Sequence, residues 1–303
     1  MTSIPIVVGL GEILWDLLPS GRQLGGAPAN FAYCSHLLGN RAVVASRIGN
    51  DQLGTDICDR LFQTGIARDF LQTDNEHPTG TVKVTLDSSG QPSYDIVEDV
   101  AWDFMEWSPE WQSLAQSAQA VCFGTLAQRS SKSQETIHQF LKSTREETLR
   151  IFDLNLRQEF YSEQMITESL RLSDIVKLNR EESSVLRKLL GLSNRASDDL
   201  SFCRELMQKF ELRSVCVTYG SEGSLLCDEL HEHRHSGFKV AIKDTVGSGD
   251  AFTAGLAHGM LNGRSLAEIN DLANRMGAWV ATSSGGMPPE PEAGLRRTLE
   301  KLG

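Results

Sequence analysis

The residues best suited to chemistry lie in Asp244-Thr-Val-Gly-Ser-Gly-Asp250, which runs into the apolar stretch Ala251-Phe-Thr-Ala-Gly-Leu256. The pattern reads as the end of a strand, a tight turn of three small residues and the start of an apolar helix. At such a helix start the N–H groups of Gly247, Ser248 and Gly249 are expected to face outward without partners. Together with the helix dipole they form an anion site, and glycine lets backbone approach the anion closely. A carboxylate inside an anion site repels what the site attracts, so Asp250 fits binding alone poorly. It fits a base that takes the proton from a hydroxyl attacking a phosphate. The alternative is an ordinary N-capping turn, because Asp and Ser favour helix starts.

That turn needs a scaffold. The apolar run 4–10 reads as a buried strand. Residues 28–38 are helical in pattern, with Pro28 in a first turn and Gly39 as a stop. Residues 42–48 are strand-like, and Asp51 opens a helix that ends near Gly65. Further on, 120–123, 150–154, 174–178 and 214–218 look like strands between amphipathic helices. Such alternation argues for an α/β fold with a mostly parallel central sheet and helices on both faces. Two stretches break the rhythm. Residues 81–86 alternate, turn at 87–90 and resume at 93–97, as a hairpin does, and 223–227 with 231–240 form a second hairpin candidate. The first reads as a small sheet projecting from the body, so residues 1–303 read as one α/β domain with a β-rich lid.

With 303 residues, 40% of them hydrophobic and 23% charged, the chain has ample material for a core. Its formal net charge of -11 argues against a nucleic-acid partner and against docking on anionic membranes. The run 4–10 is too short to span a bilayer and lacks the layout of a signal peptide. Cys34, Cys58, Cys122, Cys203, Cys216 and Cys227 occur singly, as reduced thiols of a cytoplasmic protein do. Gly9-Leu-Gly11 after the first strand hints at a dinucleotide turn, but Leu14 stands where the third glycine belongs. There is no GxxxxGK[ST]. His231, His233 and His235 share a strand face by their spacing, yet Glu232 and Arg234 between them favour a solvated edge over a metal site.

The segment around Asp250 resembles the C-terminal signature of the PfkB (ribokinase-like) carbohydrate kinases. Gly25-Gly26-Ala27-Pro28-Ala29-Asn30-Phe31-Ala32, followed by Gly39 and Gly49, resembles their N-terminal signature. The resemblance spans essentially the whole chain and implies a ribokinase-like fold with a small β-sheet lid. It assigns Asp250 as catalytic base, with the Gly247, Ser248 and Gly249 amides as anion hole. Asp16, in Gly11-Glu-Ile-Leu-Trp-Asp16, matches the sugar-hydroxyl acceptor, and Gly26 and Asn30 match sugar-binding positions. A solvated loop carboxylate is the alternative for Asp16. Asn179-Arg-Glu-Glu182 resembles the NxxE motif, in which Asn179 lies by the nucleotide and Glu182 holds water around Mg²⁺. An acidic N-capped helix is the alternative there.

By the same resemblance, Thr218, Gly220 and Gly223 form a nucleotide-facing turn and Asn274 an adenine-side wall. Asp244, Val246, Ser283 and Gly285 match a monovalent-cation (K⁺) site seen in some relatives. Arg157, in Asp153-Leu-Asn155-Leu-Arg157, is a candidate clamp on substrate or phosphate, or else half of a surface ion pair. The implied activity is ATP- and Mg²⁺-dependent phosphorylation of a sugar, with fructose as the first reading. A kinase of 2-keto-3-deoxygluconate, another sugar or a nucleoside is the alternative, as is a catalytically inactive sugar-binding regulator. Tyr94, Trp102 and Phe104 are candidate lid contacts that bear on this choice. A small sheet from segments near 13–24 and 80–104 has exposed edges, which invite pairing with a second chain. A homodimer is expected.

Overall fold

Residues 6–10, Ile-Val-Val-Gly-Leu, carry apolar side chains at successive positions, so both faces of the strand they form need cover. The computed structural model of the chain, which describes residues 4–18, 21–86, 92–192 and 199–302, provides it. Its first half contains β1 (Ile6–Leu10), β2 (Leu14–Leu18), β3 (Gly21–Gly25), α1 (Ala27–Leu37), β4 (Arg41–Gly49), α2 (Gln52–Gln63) and β5 (Leu71–Asp74). There follow β6 (Gly80–Leu86), β7 (Pro92–Ile96), α3 (Pro109–Ser117), β8 (Ala120–Phe123), α4 (Ser131–Lys142), β9 (Leu149–Asp153) and α5 (Glu163–Arg171). The remainder is β10 (Ile175–Asn179), α6 (Arg180–Leu189), α7 (Asp199–Phe210), β11 (Ser214–Thr218), β12 (Ser224–Asp228) and β13 (Glu232–His235). The helices α8 (Ser248–Leu261), α9 (Leu266–Ala281) and α10 (Leu295–Glu300) complete it.

Nine strands form the large sheet, in the order β13-β12-β11-β10-β9-β8-β1-β4-β5. All neighbours are parallel except β11–β12 and β12–β13. Successive residues of β1 feed separate cores. Val8 and Leu10 pack with Val43, Val121, Phe152 and the helices α3 to α7, whereas Val7 packs with Val44, Ile151 and the helices α1, α2, α8 and α9. Burial of a side chain such as Phe152, fully enclosed here, stabilises by about 1.5–3 kcal/mol. Gly9 admits α1 to the sheet: a Cβ there would lie 2.0 Å from the Pro28 carbonyl oxygen. The glycine pair that hints at a dinucleotide turn is thus a packing contact.

The second sheet has four strands in the order β3-β2-β6-β7, drawn from within the two segments that the sequence marks. The turn expected at 87–90 lies outside the described residues, as does the Tyr94 side chain. Asp51 caps α2 through the Gly54 amide (2.8 Å) and also holds the Thr79 hydroxyl (2.7 Å) where β6 begins, so one carboxylate anchors the small sheet to the body.

Asp16 lies on strand β2 of the small sheet, opposite Val82 of β6, and not on a solvated loop. Other expectations need correction. The second hairpin's outer strand ends at His235 rather than at 240. Residues 236–247 have no regular structure, so no strand precedes the turn at 247–249. Trp102 is buried beneath Arg129, and Phe104 stacks on His77, so neither faces the cleft described below. His231, His233 and His235 go to separate partners: Asp228, Asn270 and Asp271. No helix among the described residues is long and apolar enough to cross a membrane.

Candidate active site

In a sheet of this kind the crevice for a ligand lies beyond the carboxyl ends of the strands, where the strand order reverses. Here the chain passes from β1 to β4 on one side and to β8 on the other. A cleft of about 870 Å³ opens there, under the small sheet. It is lined by the residues that follow β1 (Glu12), β9 (Arg157), β10 (Glu182) and β11 (Gly220), and by the first turn of α8.

Asp250 sits in that first turn, partly buried. Gly247 caps the helix at φ 76, and a Cβ there would fall 2.2 Å from the Gly286 Cα, so only glycine fits. The first i→i−4 bond of α8 runs from the Ala251 N–H to the Gly247 carbonyl at 2.9 Å. The amides of Gly249 and Asp250 therefore have no acceptor in the helix. Ser248 differs from expectation: its N–H donates to the Thr245 carbonyl (3.2 Å), and its residue does not line the cleft. The Asp250 carboxylate accepts a hydrogen bond from Asn30 Nδ2 at 2.8 Å. Burial, and then the charge of Asp153, push its pKa up to about 6, against the pull of Asn30, Lys177 and Arg157.

Asp16 faces the cleft from β2, on the same strand face as Leu14 and Leu18. Burial raises its pKa to about 6. Gly26, the N-cap of α1, and Asn30, one turn further, line the same corner. Arg157 reaches the cleft from the loop after β9, where Asn155 (φ 43) and Gln158 (φ 48) adopt left-handed backbone without being glycine. Such strain persists only where surroundings impose it. Thr125 does so by donating to the Leu154 carbonyl at 2.9 Å, and Glu182 by accepting the Leu156 N–H at 2.9 Å. Arg157 is exposed and makes no ion pair among the described residues, so it is not half of a surface pair.

At the other end, Asn179 and Glu182 form a reciprocal capping box on α6. Asn179 Oδ1 accepts the Glu182 N–H (2.9 Å), and Glu182 Oε2 accepts the Asn179 N–H (2.8 Å). Both Glu182 oxygens thus already accept a backbone N–H, which suits a metal held through water better than direct ligation. Thr218 and Gly220 line the cleft, but Gly223 and Asn274 do not. Gly223 closes the turn into β12. The Asn274 amide is spent on Ser224 Oγ (2.7 Å) and the Asn270 carbonyl (2.8 Å), inside the core. The Asp244 carboxylate joins two loops by accepting the N–H groups of Val246 (3.0 Å) and Gly285 (2.9 Å); Ser283 lies just past the end of α9.

Two cleft residues escape a reading of motifs. Lys177, on β10, is buried and bonds both oxygens of Asp153, its partner in register on β9, at 3.0 and 3.1 Å. A Cβ on Gly249 would lie 3.0 Å from its ammonium, which places that cation beside the anion turn. A lysine inside an apolar strand run was the available signal. Glu12, on the loop after β1, is 2% exposed and lines the cleft. Its signal was a carboxylate directly after a buried strand.

Comparisons with known proteins bear on the family and the fold. Residues 21–293 match the pfkB family carbohydrate kinase pattern. A fructokinase of Escherichia coli is 30% identical over 96% of this chain and 97% of its own. The structure of a fructokinase from Vibrio cholerae O395, in fructose-, ADP- and calcium-bound form, superposes with a TM-score of 0.80 at 25% identity, covering 98% of this chain and 99% of that one. An uncharacterized sugar kinase from Pyrococcus horikoshii in complex with ATP gives 0.81 at 26% identity, covering 98% and 99%. On a match that takes in nearly the whole chain, the protein belongs to the pfkB family of carbohydrate kinases.

Proposed function

We propose that the chain transfers the γ-phosphoryl group of ATP to a hydroxyl of fructose, with Asp250 as general base. The observation that carries this reading is a carboxylate, held by Asn30, in the first turn of a helix whose free amides face the same cleft. Asp250 removes the hydroxyl proton as the oxygen attacks the γ-phosphorus, and the bond from that phosphorus to the bridging oxygen breaks to release ADP. The amides of Gly247 and Gly249 stabilise the charge on the group in transit. Asp16, Gly26 and Asn30 hold the sugar, Arg157 clamps it or the phosphate, and Asn179, Thr218 and Gly220 face the nucleotide. Glu182 would hold Mg²⁺ through water, and the ion would supply neutralisation of phosphate charge. A monovalent cation would act where Asp244 joins the loops at Val246 and Ser283–Gly285, ordering the anion turn. The small sheet closes the cleft and excludes water.

Arg157, a cation at the mouth of the cleft, favours 2-keto-3-deoxygluconate as the second reading. A panel of fructose, other hexoses, 2-keto-3-deoxygluconate and nucleosides, with Mg²⁺ and ATP, decides between them by ADP release. Fructose should give the highest kcat/KM; a preference for the keto-deoxy acid would replace it.

Asp16→Ala should raise the KM for sugar and leave that for ATP in place. The lost charged hydrogen bond is worth about 1.5–3 kcal/mol, or roughly ten- to hundredfold in KM. An unchanged sugar KM would return Asp16 to an ordinary surface carboxylate. A homodimer is also proposed, joined through the edges of the small sheet, β3 and β7, which have no further neighbouring strand among the described residues. Sedimentation should give twice the chain mass; a mass near 33.4 kDa would reject it.

A further inference from the structure

We infer that Glu12 binds the substrate directly, its Oε2 accepting a hydrogen bond from one hydroxyl of a neutral sugar. The inference rests on the sugar-kinase reading above and adds to it a residue and a selectivity. Glu12 Oε1 accepts the Ala27 N–H at 3.2 Å, at the start of α1. Its Oε2 is buried and has no partner. Buried carboxylate oxygens are rarely left so, since an unmade bond to a charged group forfeits its desolvation cost. The Oε1 bond already fixes the entry to α1, so anchoring the helix does not account for the second oxygen. Arg157 does not satisfy it either: no hydrogen bond or ion pair joins its guanidinium to Glu12 among the described residues.

A second orphan lies in the same corner. Asn30 Oδ1 is buried without a partner, while its Nδ2 holds Asp250. Glu12, Asn30 and Asp250 thus present acceptors to one part of the cleft. A ligand that satisfies them must bring donors and no negative charge of its own, as a polyhydroxylated neutral sugar does. Burial pushes the Glu12 pKa up to about 7, against the pull of the Glu12 and Ala27 backbone N–H groups, and a sugar hydroxyl donating to Oε2 would favour the ionised form.

The test pairs a substitution with substrate analogues. Kinetics of the wild type and of Glu12→Gln are measured with fructose and with its monodeoxy analogues, one hydroxyl removed in each. Gln keeps an oxygen for the Ala27 amide and loses the second acceptor. The KM for fructose should rise roughly tenfold, with the KM for ATP unchanged. One analogue that the wild type uses poorly should be used by the variant as well as fructose, while the penalties at the other hydroxyls persist. A structural role would shift all sugars alike and keep every penalty, and that result overturns the inference. Glu12→Asp, which withdraws the carboxylate by one methylene, should lose the same discrimination and carries the test if the Gln variant does not fold. If another sugar proves the better substrate, the fructose reading falls and the same cycle on that sugar decides the role of Glu12. No turnover with any sugar overturns both.

Discussion

Asp250→Asn should fold, bind ATP and lose turnover by roughly 10²–10⁴. Asn is nearly isosteric, and its side-chain oxygen can still accept the Asn30 amide that holds Asp250 at 2.8 Å. Melting should therefore change little. What disappears is a group able to take the hydroxyl proton. Nucleotide binding should hold or tighten, because a negative charge leaves the neighbourhood of the anion turn. Since Asp250 ionises at about 6, kcat/KM of the wild type should fall as pH drops through that value and the base becomes protonated. A residue that merely capped α8 would predict normal turnover, so activity within a factor of a few of wild type would remove the catalytic assignment.

Lys177→Met should cost about 3–5 kcal/mol of folding stability, because removal of one partner leaves a buried charge uncompensated. The charge left behind is Asp153, whose side chain is 5% exposed. Its remaining hydrogen bond comes from Thr253 Oγ1 at 2.8 Å. Lys177 itself stays charged, its pKa held above the usual lysine range: the Asp153, Glu182 and Asp250 carboxylates outweigh the burial that alone would lower it. Chemical denaturation measures the loss, and replacing both partners by apolar residues should recover much of it. The same variant should raise the pKa of Asp250, since Lys177 favours its ionised form, and so move the acid limb of kcat/KM to higher pH. A loss below about 1 kcal/mol would mean that the pair behaves like an exposed one.

The parts of this molecule that were legible in the sequence are those set by neighbours in the chain. Apolar runs such as 120–123 and 214–218 became the strands Ala120–Phe123 and Ser214–Thr218. Asp51 at a helix start and glycines at turns were equally plain, because capping and backbone conformation are decided within a few residues. What stayed hidden depends on pairing across distance. Leu14–Leu18 is a strand through its pairing with residues from Gly80 onward, so its bounds and the Asp16–Val82 register do not follow from its own five residues. Lys177 meets Asp153 only because β9 and β10 lie side by side in that register. The importance of Glu12 follows from its burial against the Gly26–Ala27 turn, which no local pattern reveals. The apolar residues of 238–242 imitate a strand, yet Ile242 is 58% exposed and no ladder takes them up.

The central claim, that this cleft moves a phosphoryl group from ATP to fructose, is tested most directly by following both products at once. Phosphorus NMR of the protein with fructose, ATP and Mg²⁺ resolves ADP, inorganic phosphate and sugar phosphate in one spectrum. One sugar phosphate ester should form for each ADP, with no inorganic phosphate. ADP accompanied by inorganic phosphate, or no ADP at all, would contradict the account.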